Sequence, residues 1–239
     1  MTVQGEEITR AWFDCCGLTR TDAAEDALKA IWELSGDGIP PATGALAQFL
    51  DVTPPTVSAM LKRLAEHGLL DREDGRAVVL TSHGAAHARF IVRRHRLIET
   101  FLSSVLLVPW DELYGEAELL EHAVSDSLLA RIDDLLGHPS TDPHGDPIPQ
   151  GHEGATVSPD ESIAEAQVGG QFRVERLHNR NAEALRYLAE LGLRPGVTVD
   201  VLERSPFDGP LWIGVDGQRI PLGPTLAQLV HGRPIEADA

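Results

Sequence analysis

The stretch Thr43–Leu80 constrains the fold most, because helical spacing over it gives way abruptly to strand spacing. Residues 43–50 and 54–67 each carry a helical period, with Asp51-Val52-Thr53 between them and Gly68 placed to end the second. In the second helix Val57, Met60, Leu61 and Leu64 form one apolar stripe, which leaves Thr53, Pro55, Thr56, Ser58 and Ala59 for the outer face. Leu69-Leu70, the polar turn Glu73-Asp74-Gly75-Arg76 and Ala77-Val78-Val79-Leu80 then read as a hairpin. Two short helices followed by a hairpin make a winged helix-turn-helix, whereas an all-helical surface would need no hairpin. Small hydroxyl and apolar side chains at a helix N-terminus fit phosphates, base edges and thymine methyls in the major groove. Lys62 and Arg63 are positioned for the DNA backbone.

Residues 1–20 hold no sustained period and read as an N-terminal extension. A first helix is expected from Asp22, whose spacing to Glu25 resembles a capping box, with Leu28, Ile31, Trp32 and Leu34 continuing an apolar face. Asp26, in its second turn, taken alone reads as a solvated carboxylate favoured by the helix dipole. Two long helical stretches, Ser82–Leu107 and Asp111–Leu136, follow. Phe90, Ile91, Leu97, Ile98, Phe101 and Leu102 are too many apolar residues for a solitary helix and suit dimer packing. After Pro149 the residues Gly151, Gly154, Ser158, Pro159 and Asp160 mark a linker. Alternating Val197, Val199 and Val201, a turn at Ser205–Pro210 and the run Leu211–Val215 announce a small β domain.

With 239 residues and 42% hydrophobic content, the chain suffices for two packed domains. No apolar run is long enough for a bilayer, and the first residues lack the regions of a secretory signal, so a cytoplasmic, non-membrane protein is expected. The two cysteines, Cys15 and Cys16, are adjacent, which disfavours a disulfide between them and fits a reducing compartment. A net charge of −17 opposes indiscriminate nucleic-acid binding. Specific fit, the local arginines Arg89, Arg93, Arg94 and Arg96, and neutralisation by bound cations would have to offset it.

Two segments supply candidate ligands for such cations. Glu99 falls four residues after His95, and Glu121 and His122 fall three and four residues after Glu118, so each set shares a helical face. Singly, each of these residues is more usual as a hydrogen-bonded or solvated helix side chain. Together their carboxylates would repel one another unless they diverge or hold a cation. Glu118-Leu119-Leu120-Glu121-His122 matches neither the HExxH nor the HxxEH pattern, and no nucleophile motif or phosphate loop occurs, so no enzyme and no small-molecule substrate are expected. The competing reading is a metal-indifferent winged-helix DNA binder whose acidic helices only make dimer contacts.

Four pieces in order, Pro55-Thr56-Val57-Ser58, Arg94-His95-Arg96-Leu97-Ile98-Glu99, Glu121-His122-Ala123-Val124-Ser125-Asp126 and Asp142-Pro143-His144-Gly145-Asp146-Pro147-Ile148-Pro149, resemble the diphtheria-toxin-repressor family of metal-dependent transcriptional regulators. The resemblance covers nearly all the chain after residue 20 and points to the manganese-responsive branch. It implies a mainly α protein with a small β domain. The expected divisions are an extension at 1–20, a winged helix-turn-helix domain at 21–84 and a helical metal-binding and dimerisation domain at 85–150. A linker at 151–163 and an SH3-like domain at 164–239 complete the chain. Iron-type members place a methionine and a cysteine where Asp26 and Glu118 stand. Replacing sulfur by carboxylate favours Mn(II), which needs hard oxygen donors, while Fe(II) accepts the same set. The resemblance therefore implies a principal site of Asp26, Glu118, Glu121 and His122 and a second site including His95 and Glu99. Tyr114 replaces a further histidine of that second site, and Asn181 and Glu183 fall near the region from which the SH3-like domain can donate ligands. A homodimer on an inverted-repeat operator, repressing metal uptake when the metal is plentiful, is implied as well. Ala59, where iron-type members often carry an amide, points to readout through DNA shape and methyl contacts.

Overall fold

The computed structural model describes residues 16–19, 21–36, 39–71, 78–150, 161–178 and 181–235. The chain forms two compact bodies, one from 1–98, 119–138 and 149–154, the other from 99–118, 139–148 and 155–239.

The first body begins with α1 (Asp22–Leu34), α2 (Thr43–Phe49) and α3 (Pro54–Glu66), followed by β1 (Leu70–Asp71) and β2 (Val79–Leu80). Thr21, not Asp22, caps α1, its side chain accepting from the Ala24 amide. Glu25 is consequently no capping-box partner but a buried residue, 2% exposed. Thr53 caps α3 with prolines in its first turn, the arrangement that pre-sets helical φ where no intrahelical donor is needed. Leu28 and Ile31 of α1, Leu46 of α2 and Val57, Leu61 and Leu64 of α3 meet in one core with Leu69, Val78 and Ile91. Each such side chain contributes roughly 1.5–3 kcal/mol by leaving water. β1 and β2 pair antiparallel with Leu70 opposite Leu80, as a wing requires. The turn Glu73–Arg76 and Ala77 lie outside the described residues.

Helix α4 (Ser82–Ser104) starts in this body. Thr81 Oγ1 donates to the Gly68 carbonyl and accepts from the Gly84 amide, so the helix start is fastened to the end of α3. Gly84 is required there, because a Cβ would lie 1.9 Å from the Leu69 carbonyl oxygen. The helix ends three residues before the expected Leu107. The expected single helix from Asp111 to Leu136 is two, α5 (Leu113–Glu121) and α6 (Asp126–Leu136). Ser125 interrupts them by adopting extended backbone and capping α6 through the Leu128 amide, and Gly137 in left-handed conformation closes α6. Two of the α4 arginines, Arg93 and Arg94, make structural bonds. Arg94 is buried and donates to the Val124 carbonyl and Asp126, holding the α5–α6 junction. Arg93 donates to Asp133 at 2.6 Å and to the Pro149 carbonyl at 3.0 Å.

The second body centres on a six-stranded antiparallel sheet in the order β3-β8-β4-β5-β6-β7. These strands are β3 (Glu161–Ser162), β4 (Gln171–Leu177), β5 (Thr198–Arg204), β6 (Leu211–Val215), β7 (Gln218–Leu222) and β8 (Val230–Ile235), with α7 (Ala182–Glu190) after β4 and α8 (Pro224–Ala227) before β8. Phe172, Val174, Val199, Val201, Leu211, Ile213 and Val230 fill its core, so the period-2 pattern read in the sequence faces inward as expected. Glu161 and Ser162, placed by the sequence reading in the linker, pair with Gly232 and His231, and Ile163 opens a one-turn 3-10 helix. The Ser162 hydroxyl donates to the Ala227 carbonyl at 2.9 Å, which ties this edge strand down. Helix α7, unforeseen in the sequence, is capped by Asn181, whose Oδ1 accepts from the Glu183 and Ala184 amides.

Candidate metal centre

Helix α1 turns Glu25, Asp26 and Lys29 toward the residues that end α5. His122 Nε2 lies 3.0 Å from Asp26 Oδ1, and His122 Nδ1 lies 2.9 Å from Glu25 Oε2. One ligand atom from each of Asp26, Glu121 and His122 falls within 4.8 Å of the others, a group reachable by one divalent ion. Glu121 is fully buried, with Lys29 Nζ donating to Oε1 at 2.5 Å, His95 Nδ1 at 2.6 Å from Oε2 and His122 Nε2 at 3.5 Å from Oε1. Glu118 stands one turn before Glu121 on α5, half-buried, with Tyr114 one turn earlier still.

Lys29 and Glu25 are the parts sequence reading did not supply. Repulsion among the carboxylates does not go uncompensated. The Lys29 ammonium, 2% exposed, lies against Glu121, and His122 faces carboxylates through both ring nitrogens. Burial works against the imidazolium, yet the hydrogen bond to Glu25 and the charges of Asp26 and Glu121 outweigh it and hold the His122 pKa above the ordinary 6.5. Glu25 fixes the ring as an outer carboxylate does in a carboxylate–histidine–metal relay, directing Nε2 to the side of Asp26. Carboxylates with one imidazole and no sulfur fit a hard or borderline divalent ion.

The pair His95 and Glu99 divides between two groups. His95 belongs with Glu121, whereas Glu99 gathers with Asp142 and His144, all three buried and within 4.8 Å through one ligand atom each. His144 Nδ1 lies 3.8 Å from Glu99 Oε1, and its ring lies 4.9 Å from that of Trp110. Asp142 Oδ1 accepts from the amides of His144 and Asp146, which sets the loop as a tight turn. Gly145 at φ +90° lets that loop touch β4, since a Cβ there would lie 1.9 Å from the Glu175 carbonyl oxygen. Asp142 and His144 were visible in the sequence only as part of a motif, because nothing local aims them at Glu99. Asn181 and Glu183 serve as cap and first turn of α7, and neither belongs to the ligand groups among the described residues.

The outer face of α3 carries Thr53, Pro55, Thr56, Ser58, Ala59, Lys62 and Arg63, all exposed. Thr53 and Thr56 hydroxyls bond each other at 2.9 Å, and Lys62 reaches Glu66 at 3.9 Å. Arg63 donates to the Thr19 carbonyl at 3.4 Å, an exposed contact weak enough to exchange for a phosphate.

Residues 20–78 match the iron dependent repressor N-terminal DNA binding domain, 81–150 its metal binding and dimerisation domain, and 162–234 the FeoA domain, an SH3-like fold. The chain is 40% identical to a manganese-dependent transcriptional repressor solved in complex with manganese, with a TM-score of 0.81 over 89% of this chain and all of that one. It is 35% identical to the manganese-activated repressor ScaR in its apo form, with a TM-score of 0.77 over 88% and 100% of the two chains. The iron-dependent repressor IdeR of Mycobacterium leprae is 36% identical over 147 residues, 62% of this chain. That match spans 64% of the relative's length, just under two thirds. The diphtheria toxin repressor of Corynebacterium diphtheriae is 27% identical over 226 residues, 88% of this chain and 96% of that protein. Members of this family are DNA-binding repressors and not enzymes. The chain belongs to the diphtheria-toxin-repressor family of metal-dependent transcriptional regulators.

Proposed function

We propose that this protein is a manganese-responsive, homodimeric repressor that works in the cytoplasm on an inverted-repeat operator of metal-uptake genes. One observation carries the reading: Asp26 of α1 stands within ligand distance of Glu121 and His122, with no sulfur donor in the group. Asp26, Glu121 and His122 would hold the ion, Glu118 one turn away on α5 would join them, and His95 would support Glu121. The ion would supply positive charge that lets these carboxylates share one point. Asp26 belongs to the helix that packs with α2 and α3, so its attachment to the end of α5 fixes α1 and, through their common core, the outer face of α3. Linkage then makes operator and metal raise each other's affinity, typically by about 1–3 kcal/mol. Glu99, Asp142 and His144 would form a second site of the same hard character. The relatives include manganese-dependent and iron-dependent repressors, and Fe(II) accepts the same donors.

The test is equilibrium binding of metal-stripped protein to its own promoter at fixed salt, titrated separately with Mn(II), anaerobic Fe(II) and Zn(II). A large rise in affinity with Mn(II) at lower concentration than Fe(II) supports the manganese reading. The reverse order makes the protein an iron regulator, and tight binding indifferent to every ion makes it a constitutive DNA binder.

A further inference from the structure

A second set of ligating side chains shares no residue with these carboxylate groups. His83 and His87 stand one turn apart near the start of α4, with rings edge to face, centroids 4.7 Å apart and planes at 81°. Their Nε2 atoms are 3.2 Å apart. Cys16, a thiol in the segment before α1, completes the group, so that Sγ and one nitrogen of each imidazole all lie within 4.8 Å of one another. His87 is wholly buried, His83 and Cys16 half so.

The geometry suits a tetrahedral ion. Two nitrogens at the usual zinc distance of about 2.0–2.1 Å, subtending the tetrahedral angle, stand roughly 3.3 Å apart. A hydrogen bond between the two imidazoles would explain the same separation, but it would not draw a thiol to the pair. The donor set also differs in kind from the carboxylate groups. Thiolate with two imidazoles is borderline-soft and selects Zn(II) over Mn(II). Burial first, and then the neighbouring His83, push the His87 pKa down to about 4, so the ring is neutral and in its ligating form near pH 7.

We propose that Cys16, His83 and His87 form a zinc-class metal site, separate from the manganese-type centre, with water in the fourth position. The ion would fasten the segment preceding α1 to α4. The Cys16 carbonyl accepts from His67 Nδ1 at 2.8 Å, and His67 is the C-cap of α3. The site is therefore bonded to the end of the helix that carries the DNA-facing residues.

Cobalt absorption tests it, because only a sulfur ligand gives the near-ultraviolet thiolate-to-cobalt charge-transfer band and the carboxylate groups contain none. The full-length, reduced, metal-stripped protein would carry Cys15→Ser, which leaves Cys16 as its sole thiol. Co(II) is expected to raise the band to saturation at one ion per thiol, and Zn(II), not Mn(II), to abolish it. His83→Gln, at a half-buried position, is expected to lose the band while keeping the parent's circular dichroism and its Mn(II) binding. Absence of the band in the single-thiol protein, or its survival unchanged in His83→Gln, overturns the proposal. Neither result bears on the manganese reading, which the operator titration tests independently.

Discussion

Lys29 sits where a solvent-facing residue would be read, three residues after Asp26 on a helix whose apolar stripe lies elsewhere, yet it is 2% exposed and bonded to Glu121. A buried ion pair stripped of one partner leaves an uncompensated charge, so Lys29→Met should cost about 3 kcal/mol of unfolding free energy in metal-free protein. Mn(II) should recover more stability in that variant than in the parent, since the ion replaces the lost positive charge. Urea unfolding with and without Mn(II) checks both, and an equal metal increment in the two proteins would show Lys29 to be irrelevant to the centre. His122 sets a pH dependence of definite sign. Its folded pKa is raised, so in metal-free protein its contribution to stability is complete below pH 6.5 and fades as pH climbs through the raised value. Metal binding runs the other way, because the ion needs the deprotonated ring. Apparent Mn(II) affinity should increase with pH through that range, by up to about tenfold per unit for one displaced proton, as a chelator competition series would record. Glu121 and His122 were legible in the sequence by helical spacing, and Asp26 only through the resemblance. Glu25 and Lys29 were not, because their partners lie more than 90 residues away and no local pattern marks a helix-surface charge as buried.

At the scale of elements, the readable parts were those that local chemistry decides. The α2–α3 pair followed from helical spacing and the proline start of α3, and the inward strands β5 and β6 from alternation. The break between α5 and α6 was missed although Ser125-Asp126 is a good cap, because apolar residues recur on both sides of it at helical spacing. Helix α7 was not legible because its nine residues bury only Leu185 and Leu188, too few apolar positions to mark a helical period. The short edge strand β3 was hidden by its linker-like neighbours, and its two residues gain meaning only from β8. The wing's attachment to α4 rests on Gly84 and offers a direct probe. Gly84→Ala forces a methyl into the Leu69 backbone, which cannot move without disturbing β1, so destabilisation of about 3 kcal/mol is expected in thermal unfolding. Gly44, which has open space around its Cβ position, is the matched control and should tolerate alanine. Asp26→Ala probes the other junction, between α1 and the end of α5. It should abolish the Mn(II)-dependent part of operator affinity while far-ultraviolet circular dichroism stays at the parent's value.

On the scale of the whole molecule, the charge of −17 and the short cationic face of α3 leave one copy of the chain a poor ligand for DNA. Two copies on an inverted repeat would overcome this, because the second contact becomes intramolecular and gains effective concentration without any new chemistry. α6 offers a surface suited to pairing. Leu128 and Leu135, one heptad apart on the same face, are 48% and 66% exposed. If this face joins two copies, Leu128→Lys with Leu135→Lys should give a monomer in sedimentation equilibrium. Neither leucine is a ligand, so Mn(II) binding per chain should be unchanged. Operator affinity should then fall by about a hundredfold or more, the loss of bivalency, while affinity for a half-site holds. A monomer with undiminished operator affinity would show that one chain reads the operator alone. A dimer that persists would move the interface to another face. Unchanged metal binding paired with collapsed operator affinity would separate metal binding within each chain from operator reading between two.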